Sequence, residues 1–229
     1  GRWLSPLENH VLPKLGKLPV QEVDAQALRD VLKPIWHEKA DTARKAMNRL
    51  NVVLKHAAAL GVDVDLQAVE KARALLGKSR HKAQHIPAMP WPDVPAFYQS
   101  LTDLTSVHLA LRFLILTGQR SKPVRYLHLD QIDGDVWTVP GELVKGREGR
   151  TEDFRVPLCA AALAVIEAAK PMERDGFLFP SPRKGVVSDM AMGMHMRRKG
   201  LEARPHGFRT SLRTWLAEAT SAPHEVAET

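Results

Sequence analysis

Cysteine is nearly absent: Cys159 is the single one among 229 residues. This excludes an internal disulfide framework and a cysteine-based zinc cluster, and predicts a reducing, cytoplasmic setting. Long apolar runs are missing too. The most apolar stretch, residues 107–117, contains His108 and Arg112 and is too short to cross a bilayer, so no membrane association is expected. The opening Gly1-Arg2-Trp3-Leu4-Ser5-Pro6 lacks a signal-peptide pattern. Aromatic residues make up only 6%, and the two tyrosines are Tyr98 and Tyr126. No internal repeat or low-complexity tract is visible.

Positive charge is plentiful. Lys and Arg number 33 against 26 Asp and Glu, a formal charge of +7. Such a balance points to a polyanionic partner. A hydrophobic content of 44% is enough for one large or two modest domains.

Periodicity predicts a mainly α chain with a small antiparallel β-sheet or hairpin. Asp24 is an N-cap candidate for a helix carrying Leu28, Val31, Leu32, Ile35 and Trp36, which Pro34 should kink or end. Asp41 or Thr42 can cap the next, whose apolar face is Ala43, Ala46, Met47, Leu50, Val53, Leu54 and Ala57, with Gly61 as its stop. A third helix is expected over 66–76. Residues 77–92, with Lys78, Arg80, His81, Lys82 and three prolines, read as a basic linker between a helical domain (1–76) and a second domain (93–229).

In the second domain helices are expected near 92–101, 106–116, 121–127, 160–169, 189–199 and 206–219. The β-like runs 136–139 and 154–158 make a hairpin with a long charged loop. Leu212, Trp215, Leu216 and Ala219 are expected to form a buried stripe on the last helix.

Four basic residues stand out here: Arg120 after Thr117-Gly118, Lys145 between the strands, and the pair His206 and Arg209. His195 and Arg198 share the His-x-x-Arg spacing, so spacing alone leaves both pairs open. Pro205-His206-Gly207-Phe208-Arg209 opens a helix, however, and a helix N-terminus favours an anion. In the first domain, Arg44, Asn48, Asn51 and Lys55 lie off the apolar face as a stripe that could enter a major groove, with Lys78, Arg80 and Lys82 as phosphate contacts.

The order of these motifs resembles the tyrosine recombinase family. Leu116-Thr117-Gly118-Gln119-Arg120 followed by residues 127–133 is similar to its first arginine motif, and residues 136–145 to the hairpin bearing its lysine. Arg155-Val156-Pro157-Leu158 resembles the returning strand, and residues 205–218 the His-x-x-Arg helix, most closely that of prophage-type integrases. Residues 2–60 resemble the helical core-binding domain of those enzymes, so the likeness covers nearly the whole chain.

The resemblance implies a site-specific recombinase of a mobile genetic element that cuts and rejoins DNA through a 3′-phosphotyrosine, with no metal or nucleotide cofactor. It assigns Arg120 and Arg209 to the phosphate, Lys145 to protonation of the leaving 5′-oxygen, and His206 to the phosphate or the nucleophile's proton. Lys122 and Arg147 fall on no motif position. The implied partners are attachment-site core DNA, further protomers bound to it, and a host bending protein or excision factor, in a bacterial, nucleoid-associated setting.

Two departures accompany the likeness. Pro123 stands where the family usually carries an acidic residue, and the sequence stops at Thr229, before the family's nucleophilic tyrosine. The expectation is that the chain as written does not cleave DNA. A small arm-site-binding domain usually precedes the core-binding domain, and its absence before Gly1 also leads to the expectation of a fragment. The alternative is a noncatalytic DNA-binding regulator built on the same fold.

Overall fold

The computed structural model describes residues 3–80, 85–144, 146 and 151–223. It divides into two compact units, Gly1–Gln84 and His85–Thr229.

The first unit is helical: α1 (Ser5–His10), α2 (Leu12–Leu15), α3 (Ala25–Leu32), α4 (Ala40–Ala59) and α5 (Ala68–Leu76). Asp24 caps α3 by accepting from the Ala27 amide at 2.7 Å. Pro34 lacks an N–H and crowds the preceding turn, so α3 passes into a single 3-10 turn, Lys33–Ile35. The start of α4 differs from expectation. Lys39 is its N-cap and Asp41 lies within the first turn, where its carboxylate faces unpaired amides.

Ala43, Ala46, Met47, Leu50, Leu54 and Ala57 of α4 are buried, whereas Val53 is 41% exposed. At 100° per residue Val53 falls just beyond the buried arc, which corrects its place in the predicted face. Beyond α5 the chain stays fastened to this unit. The Trp36 indole N–H donates to the Gly77 carbonyl at 3.0 Å, and the Ser79 hydroxyl to the Trp36 carbonyl at 3.1 Å.

The second unit contains α6 (Val94–Gln99), α7 (Ser106–Thr117), α8 (Ser121–Arg125), β1 (Ile132–Asp133), β2 (Val136–Val139), β3 (Phe154–Pro157), α9 (Ala160–Ala169), α10 (Ala191–Arg198) and α11 (Gly207–Ala219). The strands form an antiparallel sheet in the order β1-β2-β3, with Trp137 opposite both Ile132 and Val156. Strand β1 escapes sequence reading because two residues show no alternation.

Leu109, Ala110, Leu111, Phe113 and Leu114 bury α7 in the centre of the unit, where Phe113 packs against Trp137 and Phe179. The stripe expected on α11 is not the buried one. Gly207, Phe208 and Ser211 are buried, while Trp215 is 40% exposed. Only the first turns of α11 meet the core, through Phe208 stacked on Phe97 at 5.6 Å.

A histidine pair joins α10 to α7. His108 is buried and accepts from the Asp103 amide through Nδ1 at 3.1 Å, and His195 meets it edge-on at 4.5 Å between ring centroids. The His195 Nε2 is buried without a hydrogen-bond partner among the described residues. Burial, then the charges of His108, Lys199 and Arg198 against the opposing pull of Asp103, lowers its pKa below the ordinary 6.5. Between those two values the unfolded chain binds more protons, so stability present above 6.5 is lost as pH falls through the lowered value. His195→Leu removes both the titration and the unpaired nitrogen. Thermal melts between about pH 7 and about pH 5 are expected to show a smaller acid-side loss of Tm in this variant. An unchanged loss would place the acid sensitivity elsewhere.

Candidate functional site

The site is built around the end of α7. Gly118 closes that helix in the left-handed conformation, φ +61°, with its amide on the Leu114 carbonyl at 3.0 Å. A Cβ there would lie 2.5 Å from Leu212 Cδ2, so glycine serves both the turn and the close approach of α11. The reversed chain delivers Arg120 to the N-cap of α8 in an extended conformation, half-buried.

From α11, the half-buried Arg209 reaches back and donates from Nη1 to the Gly118 carbonyl at 2.6 Å. Burial first, and the Arg120 charge second, pull its pKa below the ordinary guanidinium value. Both arginines remain cations, so the fold holds two like charges within electrostatic reach in a partly desolvated place. An anion between them relieves that repulsion, and two planar donor forks suit the oxygens of a phosphodiester.

His206 is the N-cap residue of α11, exposed, one turn before Arg209, and its side chain makes no capping hydrogen bond. The next residue holds the helix start in place: a Cβ on Gly207 would come 2.4 Å from the Pro87 carbonyl oxygen. The competing His195 is instead engaged with His108 at the α7–α10 contact. Of the two His-x-x-Arg pairs, the one on α11 contains the arginine that is electrostatically coupled to Arg120, while His195 belongs to a packing contact.

Lys145, Arg147 and Lys82 lie outside the described residues. The described foot of the Lys145 loop is ordered by two bonds: the Gly141 amide donates to Asp153 Oδ1 at 2.9 Å, and Lys122 Nζ to the Glu142 carbonyl at 2.9 Å. Pro123 is buried at the third position of α8, where a helix needs no amide donor. Gly118→Ala imposes a side chain on a left-handed backbone and displaces Leu212. A loss of about 1–3 kcal/mol in denaturant titration is the expected outcome; a loss below a few tenths would show that α11 adapts freely.

In the first unit, Arg44, Asn48 and Lys55 are exposed, whereas Asn51 is half-buried. Arg44 is ion-paired with Asp41 at 3.1 Å. Arg44 and Asn48 border a hollow of about 340 Å³ with Trp36, Arg73 and Ser79. Arg73 had no motif to announce it; the packing of α5 beside α4 brings it there. Lys78 and Arg80 are exposed, and the Arg80 amide donates to His37 Nδ1 at 3.2 Å. Among the described residues, no group of three His, Cys, Asp or Glu could hold a metal, and no helix is long and apolar enough to cross a membrane.

A mainly helical unit with a small antiparallel sheet, presenting two arginines and a histidine at helix starts, has the architecture of a tyrosine recombinase catalytic domain. Residues 93–229 match the model of the phage integrase family and residues 1–69 that of the phage integrase central domain, so the chain belongs to the phage integrase family. It is similar to the integrase of Enterobacteria phage P4, at 26% identity over 95% of this chain and 54% of that protein. It is also similar to prophage integrase IntZ of Escherichia coli K12, at 28% identity over 94% and 54%. The chain thus spans about half the length of the curated relatives it matches.

Among solved structures, a lambda integrase dimer bound to a COC′ core site shares the fold with a TM-score of 0.75 at 15% identity, over 99% of this chain and 84% of that one. The Tn1549 transposon integrase in complex with a circular intermediate DNA does so with a TM-score of 0.70 at 16% identity, over 99% and 82%.

Proposed function

We propose that this chain is the core-binding and catalytic part of a site-specific recombinase that integrates or excises a mobile element by cutting and rejoining duplex DNA. The observation that carries this reading is the half-buried Arg209, fixed on the Gly118 carbonyl and electrostatically coupled to Arg120. Charge accumulates on the nonbridging oxygens of a phosphodiester as a nucleophile attacks, and prearranged guanidiniums stabilise it there without reorganising. His206 acts on the same phosphate or on the nucleophile's proton. Lys145 protonates the leaving 5′-oxygen.

The nucleophile is a tyrosine other than Tyr98 and Tyr126. Tyr98 lies under the Arg112 guanidinium at 4.8 Å, and Tyr126 meets Phe177 edge-on at 6.1 Å, so both serve packing. The DNA is an attachment-site core, bound together with further protomers, and a host bending protein or excision factor completes the assembly. Lysine and arginine on both units would supply the phosphate contacts. Pro123, replacing an acidic support of the site, favours a second reading in which the protein occupies such DNA without cutting it.

A nicked suicide duplex incubated with the full-length gene product separates the two. A covalent protein–DNA adduct that persists in Tyr98→Phe and Tyr126→Phe supports the recombinase. Tight duplex binding without any adduct supports the regulator, and no duplex binding at all sinks both.

A further inference from the structure

The direction in which α4 faces outward is set by its buried residues. With 100° per residue, the arc occupied by Ala43, Ala46, Met47, Leu50, Leu54 and Ala57 puts Asp41, Lys45, Asn48, Val52 and His56 directly opposite, and all five are exposed. The outward stripe is therefore rotated from the one that sequence spacing suggested: Lys45 and Val52 lie in it, while Asn51 turns half under.

Val52 is the odd member. It is 56% exposed, more than Val53, at the middle of a face that is otherwise polar, with Lys45 on one side and Lys55 on the other, while the acid of the stripe, Asp41, is ion-paired with Arg44 at 3.1 Å. A face carrying those cations is complementary to a polyanion rather than to an apolar protein surface. A helix of 20 residues is about 30 Å long, enough to cross a major groove roughly 12 Å wide.

Resting on the DNA-binding reading above, we infer that Val52 is a specificity-determining residue that reads the 5-methyl group of a thymine in the major groove. Valine has no donor or acceptor, and the thymine methyl is the one apolar group that a base pair presents in that groove. Its β-branched side chain is stiff at χ1, so the entropic cost of ordering it against a base is small. Asn48, one turn earlier, is matched to the donor and acceptor of adenine. Four residues of helix rise about 6 Å, close to two base steps of about 3.4 Å, so the adenine and the thymine should lie within two base pairs of each other.

The test begins with selection from a randomised duplex library by the wild-type chain. Each thymine of the selected site is then replaced by deoxyuridine, which removes only the methyl group. One position is expected at which this substitution weakens binding about threefold to fivefold, the worth of one buried methyl. Val52→Ala should lose the same factor on the thymine duplex and bind thymine and deoxyuridine equally there. Because Val52 is exposed, an unchanged thermal melt is the expected folding control.

If deoxyuridine is harmless at every position, or if Val52→Ala keeps the full thymine preference, the inference is overturned while DNA binding stands. Failure of the wild-type chain to bind any duplex would overturn the functional reading itself.

Discussion

Replacing Arg120 by alanine is expected to slow strand cleavage by the full-length protein roughly 10²–10³-fold, the usual cost of removing one prearranged donor from a charged transition state. Affinity for duplex DNA should stay within about threefold, since many phosphate contacts share the binding of the duplex and one carries the chemistry. The unliganded variant should be no less stable than the wild type, because the neighbour that depresses the Arg209 proton affinity has gone. Arg209→Ala is a different substitution: it also abandons the Gly118 carbonyl, so its loss of activity comes with a loss of stability. Single-turnover adduct formation on a nicked duplex, paired with thermal melts, checks both variants. Cleavage surviving in Arg120→Ala would remove the arginine pair from the chemistry.

The second large effect concerns salt. Changing Lys78, Arg80 and Lys82 together to alanine should flatten the slope of log affinity against log salt by about 2.7, close to 0.9 for each phosphate that no longer has a cation from the protein. Between roughly 50 and 200 mM salt, the advantage of the wild type over this variant should then shrink about 40-fold. Lys78 and Arg80 lie in a segment fixed through Gly77, Ser79 and the Arg80 amide, so replacing these two alters charge on a backbone whose course is set by other atoms. Equal slopes would take this segment off the DNA.

Much of this architecture was legible because its signals are local. Asp24 caps, Pro34 terminates and Gly118 reverses the chain through properties of single residues, and the ordered motifs around Arg120 and Arg209 survive as short strings. The apolar run of α7 likewise announces a central helix. What stayed hidden depends on partners distant in sequence. Trp215 fits the periodicity of a buried stripe, yet only the first turns of α11 find a core to enter. Val53 and Asn51 sit at the rims of their arcs, where a small rotation of α4 decides exposure. Arg73 is brought beside Arg44 by the packing of α5, and the engagement of His195 with His108 arises from the contact between α10 and α7.

The short stretch Pro87–Met89 is laced onto α11, the helix that His206 and Arg209 open. The Arg204 amide donates to the Pro87 carbonyl at 3.0 Å, Gly207 lies against the same carbonyl, and the Ser211 hydroxyl donates to the Met89 carbonyl at 2.5 Å. These anchors bracket His206 and Arg209 in sequence. The root of α11 is therefore held by backbone that precedes it by 122 residues at Met89, and a shift of a few tenths of an ångström in Pro87–Met89 would be felt at His206 and Arg209.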